Sequence, residues 1–589
     1  MSTSDSLASI KNQPAEKPLD DGVRDGKDEM EDLVLMGTLT RGKNHTIPEG
    51  VSETARVEPL MNGEEWRPQL NKNLHSRVYQ PKFIARQSNI QRNLQKKPNL
   101  AAVKEEKELD WLGICLVLSF TLLIQAILAV GSYSGEGMKP LNGDFEAQRH
   151  WLEITFNLPI YQWYVNGTEN DLLYWGLDYP PLTAYHSWLM GFLANKIDSS
   201  WIELHSSRGI ETGPSKMFMR LTAILPFYLI YLPVVFAFTC LAKSSKISQT
   251  NLFAAFFAYG GLLVVDCAHF QYNSVSLGFF IGSYVALTSG FVRLGSILFC
   301  LAVNYKQMEL YHALPIFVFI LARTTKRPLF SRIPETVKGL LPIALVVLYT
   351  FAAIWSPFLL QGRDAVQAVL SRIFPFSRGL YEDKVASVWC ALSPVLKLNR
   401  LLEHATLLKL CTGCVLVSSL PSLLILFARP TAKNFRLALF LTSLSFFLFS
   451  FQVHEKSILL SAIAALLLLP DFPAELAWFL HLANTSLFSL CMKDGTQLTL
   501  LYFVAYSIFC HAALPGLESK PFYLLKHVSC LGSIAICLAE WFLVPPAHLP
   551  HIFPLLNAFY SCSHFVAFLL YFYAQMFREE YQKWTKKSS

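Results

Sequence analysis

The chain has 589 residues, 52% of them hydrophobic and only 16% charged, with a mean hydropathy of +0.34. Soluble proteins carry about 25% charged residues, so a soluble globular protein is excluded. The formal charge of +7 lies mainly in an N-terminal tail and in short loops between apolar runs, which is no signature of nucleic-acid binding. The runs are separated stretches of about 14 to 25 residues, the length that spans a hydrocarbon core of about 30 Å. They lack the two-residue alternation of a membrane β-barrel. The twelve cysteines fall mostly inside these runs (Cys115, Cys240, Cys300, Cys411, Cys414, Cys530, Cys537), as small core residues. None pairs with histidine at metal-ligand spacing, so no metal is expected. The composition is that of an all-α polytopic membrane protein.

Residues 1–108 are polar and lack a sustained apolar period. They read as a disordered cytosolic tail with a transient helix near Met30 to Met36. No signal peptide opens the chain. The first span runs from Trp111 to about Gly131, and Arg92, Lys96, Lys97, Lys104 and Lys107 before it put that side in the cytosol. Residues 132–216 then form a long luminal loop. Within it Pro180-Pro181, followed by Leu182, Tyr185, Leu189, Phe192, Leu193 and Lys196, predicts a helix with one apolar face lying in the luminal interface. Asn166-Gly-Thr in the same loop is a usable N-glycosylation sequon.

Further spans are expected at roughly 217–241, 251–266, 274–292, 294–304, 310–322, 340–360, 404–427, 436–452, 457–470, 474–490, 498–515, 522–544 and 553–577, about fourteen in all within a transmembrane domain of 109–577. The alternation places Lys243/Lys246, Arg323 to Arg332, Arg429 to Arg436, Lys520 and the tail 578–589 in the cytosol. Lys586-Lys587 near the end match a dilysine retrieval signal of endoplasmic-reticulum membrane proteins.

The same count gathers the unusual polar residues on the luminal side. They lie in GDFEAQRH (143–150), YWGLDYPPLTAYH (174–186), AHFQYN (268–273), NYKQMELY (304–311), the loop 361–390 and VHEK (453–456). Ionisable groups at a membrane boundary are functional candidates by default. Asp144 and Glu146 are the candidate carboxylates: partial desolvation is expected to raise a pKa and make a general base. The bland alternative is an acidic helix start. Trp151, Trp175 and Tyr179 are candidates to stack on sugar rings, while Trp163 reads as part of the interfacial aromatic belt. Lys306, Arg378, His454 and Lys456 suit a phosphate or pyrophosphate, whereas Arg372 and Lys384 read as snorkelling side chains. His269 and Gln271 mark a span turning into a polar loop, with a capped helix end as the alternative. No Walker A, GxSxG or HExxH motif is present, so the chemistry must use a substrate already activated in the membrane or lumen.

GDFEAQRHWLEITFNLP, YWGLDYPPLTAYHSWL, HFQYNSVSLG, NYKQMELY, FPFSRGLYEDKVASVWC and VHEKSILL together resemble the endoplasmic-reticulum glucosyltransferases that use dolichyl-phosphate glucose. GDFEAQRHW and WGLDYPPLTAY are closer to the first-glucose branch than to its sister, which typically reads TDFEVHRNW and WTLDYPPFFAW. The resemblance implies a GT-C fold and an inverting transfer of glucose from dolichyl-phosphate glucose to the terminal mannose of the dolichyl-pyrophosphate-linked high-mannose oligosaccharide. It implies Asp144 as the base that deprotonates the acceptor 3-hydroxyl, and His454 and Lys456, then Arg378, as cations for the departing phosphate. Glu146, Arg149, Trp175, Asp178, Tyr179, His269, Gln271, Lys306 and Glu382 are the remaining substrate-binding candidates. No cofactor is expected; the partners are the two lipid-linked substrates and the bilayer. The alternatives are second-glucose transfer, a mannosyltransferase of the same fold, or a transporter, which should show inverted repeats that the sequence lacks.

Overall fold

The computed structural model describes residues 110–139, 143–242, 244, 246–325, 333–374, 384–516 and 519–588. The expected tail 1–108 with its helix near Met30, the basic residues Lys243, Lys326, Arg327 and Arg332, and the site candidates Arg378 and Glu382 lie outside the described residues.

Among the described residues every regular element is a helix. The first, α1 (Trp111–Val130), starts at Asp110, whose side chain accepts from the Gly113 N–H at 2.9 Å, satisfying one of the free amides of a helix start. Two helices follow in the polar segment after it, α2 (Asp144–Asn157) and α3 (Pro181–Ile197), the latter with proline at its first position as the sequence predicts. Then come α4 (Gly213–Leu241), α5 (Gln249–Phe270), α6 (Asn273–Thr288), α7 (Val292–Tyr305), α8 (Ala313–Thr324), α9 (Ile333–Leu360) and α10 (Arg363–Ile373). The remainder are α11 (His404–Ala428), α12 (Ala432–Phe449), α13 (Ile458–Leu468), α14 (Pro473–Thr485), α15 (Phe488–Lys493), α16 (Thr499–Ala513), α17 (Lys520–Phe542) and α18 (Ile552–Ser588), with two shorter helices at Val388–Leu392 and Leu398–Leu401.

Eight of these helices are long and apolar enough to cross a membrane. The other segments expected to span are helices of 11 residues (α13) to 16 residues (α6). The difference has a physical source. A helix facing lipid must match the full hydrocarbon thickness, whereas every residue of α13 is buried against neighbouring helices. Position in the bundle follows the same logic. In α5, 94% of the apolar window is buried, against 11% in α9 and 17% in α1, so α5 is a central element and α1 and α9 are peripheral.

Two local features aim the polar ends of the helices. The last turn of α5 widens into a π-helix, Val264–Phe270, a form frequent at functional sites. Its carbonyls at Cys267 and Ala268 accept from the buried Arg220 guanidinium, which also reaches the Ser132 carbonyl at 3.1 Å. Phe270 then takes a φ of +88°, a strained value for a bulky residue, with its ring held against Phe145 and Tyr272.

The α2 and α3 helices cross closely. A Cβ added at Gly191 would come within 2.7 Å of the Leu152 carbonyl, and the buried face of α3 is small: Thr183, Ala184, Ser187, Gly191, Ala194. Its large residues Trp188, Leu189, Phe192 and Leu193 are exposed, the side a lipid interface would cover. Trp163 is not a belt residue: it is buried, and its indole N–H donates to the Leu158 carbonyl at 3.0 Å. Arg372 does not snorkel either. It donates to the Gly176 and Leu177 carbonyls at 2.7 and 3.1 Å, pinning α10 on the 174–179 segment. Lys384 is exposed.

Candidate active site

Asp144 opens α2, preceded by Gly143. The glycine is required by close approach: an added Cβ would lie 2.4 Å from the Ser134 carbonyl carbon and oxygen. Ser134 ties the region together. Its hydroxyl accepts from the Asp144 N–H at 3.1 Å, and its own N–H donates to the His269 carbonyl at 3.2 Å.

The Asp144 carboxylate is the meeting point of distant segments. Its Oδ2 accepts from Lys456 Nζ at 2.6 Å and from Gln271 Nε2 at 2.7 Å, and His269 Nε2 lies 3.0 Å away. All three contacts are on one oxygen; among the described residues no side-chain donor reaches Oδ1. Asp144 keeps 26% exposure, whereas His269 keeps 4%, so the open side of the cluster belongs to the carboxylate. Positive φ at Phe270 lets its two neighbours, His269 and Gln271, reach the same oxygen.

Burial alone would raise the Asp144 pKa, but the charges and hydrogen bonds of Lys456 and His269 outweigh it and hold the carboxyl well below the usual range. The expectation of a raised value fails because desolvation is overcompensated by cations in direct contact. Lys456 shows the complement: burial disfavours its charge, yet Asp144 and then Glu455 lift its pKa above the ordinary lysine value. The pair is ionised.

Lys306, just past α7, extends the cluster. Its ammonium donates to Gln271 Oε1 at 3.0 Å and Asn273 Oδ1 at 2.5 Å and stands 5.2 Å from the centre of the Tyr179 ring. Among the described residues it meets no carboxylate within ion-pair distance. Burial, reinforced by Lys456, lowers its pKa to about 8. Gln307 donates to the Asp178 carbonyl at 3.2 Å, joining the 174–179 segment to this side. Trp175, at φ +52°, and Asp178 are partly buried there, and His454 is partly buried two residues ahead of Lys456.

Asp494 is the residue sequence reasoning missed. Its Oδ2 lies 2.6 Å from His269 Nδ1, and its side chain is 2% exposed. It closes α15, where Thr496 N–H bonds the Cys491 carbonyl, Gly495 N–H bonds that of Met492, and Gly495 sits at φ +70°. This is a Schellman ending, for which the Asp-Gly pair is suited. A usable signal existed: the span alternation puts the turn 491–497 on the same side as AHFQYN.

The rest of the GDFEAQRH stretch forms a second, closed system. Glu146 accepts from Arg149 Nε and Nη2 at 2.8 and 2.7 Å and from the Tyr174 hydroxyl at 2.8 Å. Arg149 also donates to Glu153 at 2.6 Å, Ser207 at 2.7 Å and the Trp201 carbonyl at 3.2 Å. Both side chains are buried. The structure thus groups Asp144, His269, Gln271, Lys306, Tyr179 and Lys456, while Glu146 and Arg149 point into the support beneath α2. Trp151 belongs to that support, its indole donating to the Trp175 carbonyl at 2.8 Å.

The sequence model of the ALG6, ALG8 glycosyltransferase family matches residues 119–571. The chain is 48% identical over 516 residues to a probable dolichyl pyrophosphate Man9GlcNAc2 alpha-1,3-glucosyltransferase of Caenorhabditis elegans, covering 87% of this chain and 98% of that protein. It is 41% identical over 495 residues to the Gallus gallus dolichyl pyrophosphate Man9GlcNAc2 alpha-1,3-glucosyltransferase, with 78% and 96% coverage. For a probable enzyme of the same description from Arabidopsis thaliana the identity is 33% over 499 residues, with 81% and 90% coverage. The matched span holds every residue that meets at Asp144 as well as the buried support beneath it, and the chain belongs to the ALG6, ALG8 glycosyltransferase family.

Proposed function

We propose that this multi-pass membrane protein transfers glucose from dolichyl-phosphate glucose to the terminal mannose of the dolichyl-pyrophosphate-linked Man9GlcNAc2 oligosaccharide, making the first α-1,3-glucose linkage of the N-glycosylation precursor. The observation that carries the chemistry is the asymmetry of Asp144: one oxygen holds three contacts and the other is open.

The reaction is a single inverting displacement. Asp144 Oδ1 takes the proton of the acceptor 3-hydroxyl as that oxygen attacks the glucose anomeric carbon. The bond from the anomeric carbon to the phosphate oxygen breaks, and dolichyl phosphate leaves with the electron pair. Lys456 and Lys306 stand on the side where that charge develops, with His454 beside them, and stabilise it. A carboxylate held at low pKa is a weak base at rest, and the leaving group corrects this. As the phosphate gains charge it draws on Lys456, whose hold on Asp144 weakens, so the base strengthens while the bond breaks. Tyr179, Trp175 and Asp178 line the sugar side. Glu146 and Arg149 set the position of α2.

The polar clusters and the site face the lumen of the endoplasmic reticulum and both termini face the cytosol. Support comes from the basic residues falling on the opposite side in the span alternation. The bundle is of the GT-C type, with the six shorter helices completing about fourteen crossings and α2 and α3 in the first luminal loop. Asn166 is exposed in that loop and is the glycosylation acceptor.

Reconstitution in lipid with both lipid-linked substrates tests the reading. The parent protein converts the glucose-free acceptor to its monoglucosylated form. Asp144→Asn inserts and folds but loses transfer almost completely; substantial transfer by the purified variant overturns the assignment of the base. Transfer only to an acceptor already carrying one glucose identifies second-glucose activity instead.

A further inference from the structure

Asp494 carries a buried carboxylate that caps no helix end and, among the described residues, pairs with no lysine or arginine; its one side-chain partner is His269. Burying such a group is costly unless it is matched. The turn that carries it is fixed by its Schellman bonds, so the carboxylate does not wander. His269 stands between Asp494 on Nδ1 and Asp144 on Nε2, with Lys456 Nζ also 3.2 Å from Nε2. An imidazole with its Nδ1–H committed to Asp494 can present only Nε2 to the base. With a second proton it donates to Asp144 Oδ2; with one it accepts from Lys456. In both states it stays on the Oδ2 side.

We propose that Asp494 is a positioning residue for glucosyl transfer: through His269 it keeps Asp144 Oδ2 occupied and so leaves Oδ1 as the oxygen that takes the acceptor proton. The inference rests on the reading of Asp144 as the base. The charged groups around His269 are Asp144, Asp494 and Lys456 in contact, Lys306 beyond Gln271, Arg220 behind the Cys267 and Ala268 carbonyls, and Asp266 on the same turn, which is bound by Asn273 and the Ser274 N–H. Of these, Asp494 is the anion that faces Nδ1.

The test uses the full-length protein reconstituted with both lipid-linked substrates. Asp494→Asn should lower kcat on the order of 10–100-fold, the size of effect seen when a metal-ligating histidine loses the partner that orients it, with KM for either substrate little changed. A His269 that no longer faces an anion donates less to Asp144 Oδ2, which favours the protonated carboxyl, so the acid limb of kcat/KM against pH should move to higher pH. Asp494→Glu keeps the charge on a longer arm: kcat should fall less and the acid limb should stay in place. In a His269→Gln background, adding Asp494→Asn should cause no further loss, because the two act as one unit. Parent-like kcat for Asp494→Asn, an unmoved acid limb, a shifted limb in Asp494→Glu, a change confined to KM, or additive losses in the double variant each overturn the proposal. If Asp494→Asn does not fold, the Asp494→Glu limb and the His269→Gln profile decide, the latter expected to shift upward. The two readings fail differently: activity in Asp144→Asn removes the base, whereas a dead Asp144→Asn with a parent-like Asp494→Asn removes only this role.

Discussion

The two ends of one charged stretch behave in opposite ways. Glu146, Arg149 and Glu153 sit at helical spacing of three and four, satisfy one another and are closed off from solvent. Asp144, two residues earlier, finds its partners far along the chain, at Gln271, His269 and Lys456, and keeps an open oxygen. Local pairing makes a support; long-range pairing makes a site. A carboxylate that its own helix could neutralise has nothing left for a substrate, whereas one held by other elements responds when a substrate competes for those elements.

The sharpest way to separate the two systems is to break each in turn. Asp144→Asn should reduce transfer by about 10²–10⁴-fold, the usual worth of a general base, far more than the loss of its ion pair with Lys456 lowers the unfolding midpoint. Thermal unfolding and product formation on the same preparation check both halves. Gly143→Ala adds a methyl group against the Ser134 backbone and should shift the start of α2. A displacement of about 1 Å costs on the order of 10²-fold in rate, so transfer should fall by about that much, measured as kcat, with the ion pairs beneath intact. Arg149→Met should do the reverse, leaving two buried carboxylates without their cation. Breaking such a network costs about 3–5 kcal/mol, visible as loss of folded protein in detergent, with a smaller loss of transfer per folded molecule than in Asp144→Asn.

The smallest effect is expected with acid. Burial would raise the Glu153 pKa, but the hydrogen bonds and charges of His150 and Arg149 prevail and bring it to about 2, from an ordinary value of 4.5. A depressed pKa stabilises the fold fully above the unfolded value, and that contribution fades as pH falls from about 4.5 toward 2. Unfolding midpoints measured across that window should decline in the parent and decline less in Glu153→Gln.

Much of this site was legible before the fold was known. Counting spans placed AHFQYN, NYKQMELY and VHEK on the side of GDFEAQRH, and His269, Gln271, Lys306 and Lys456 do converge on or beside Asp144. The count works because charge and hydrophobic length obey the bilayer rather than tertiary detail. What it could not supply is direction. Glu146 and Arg149 have the same character as Asp144 in a string of letters; the i,i+3 and i,i+4 spacing was the available sign of their mutual pairing. Asp494 looks like an ordinary turn residue in KDG, and only the partner reveals it. The raised pKa was misjudged for a related reason: desolvation can be read from an apolar neighbourhood, but a lysine 312 residues away cannot. The shortness of α13 and α14 was visible, though not that burial of all of α13 and of all but Glu475 in α14 excuses it.

The distances along the chain bear on biogenesis. Asp144 is synthesised 312 residues before Lys456, and His269 precedes Asp494 by 225. During translation the carboxylate meets His269 and Gln271 after 125 and 127 further residues, and Lys456 only once most of the bundle has been made. A nascent or truncated chain ending before α15 has Asp144 and its three side-chain contacts yet lacks Asp494, the second partner of His269. On the proposed role of Asp494, assembly of the final third is therefore the step that completes the site.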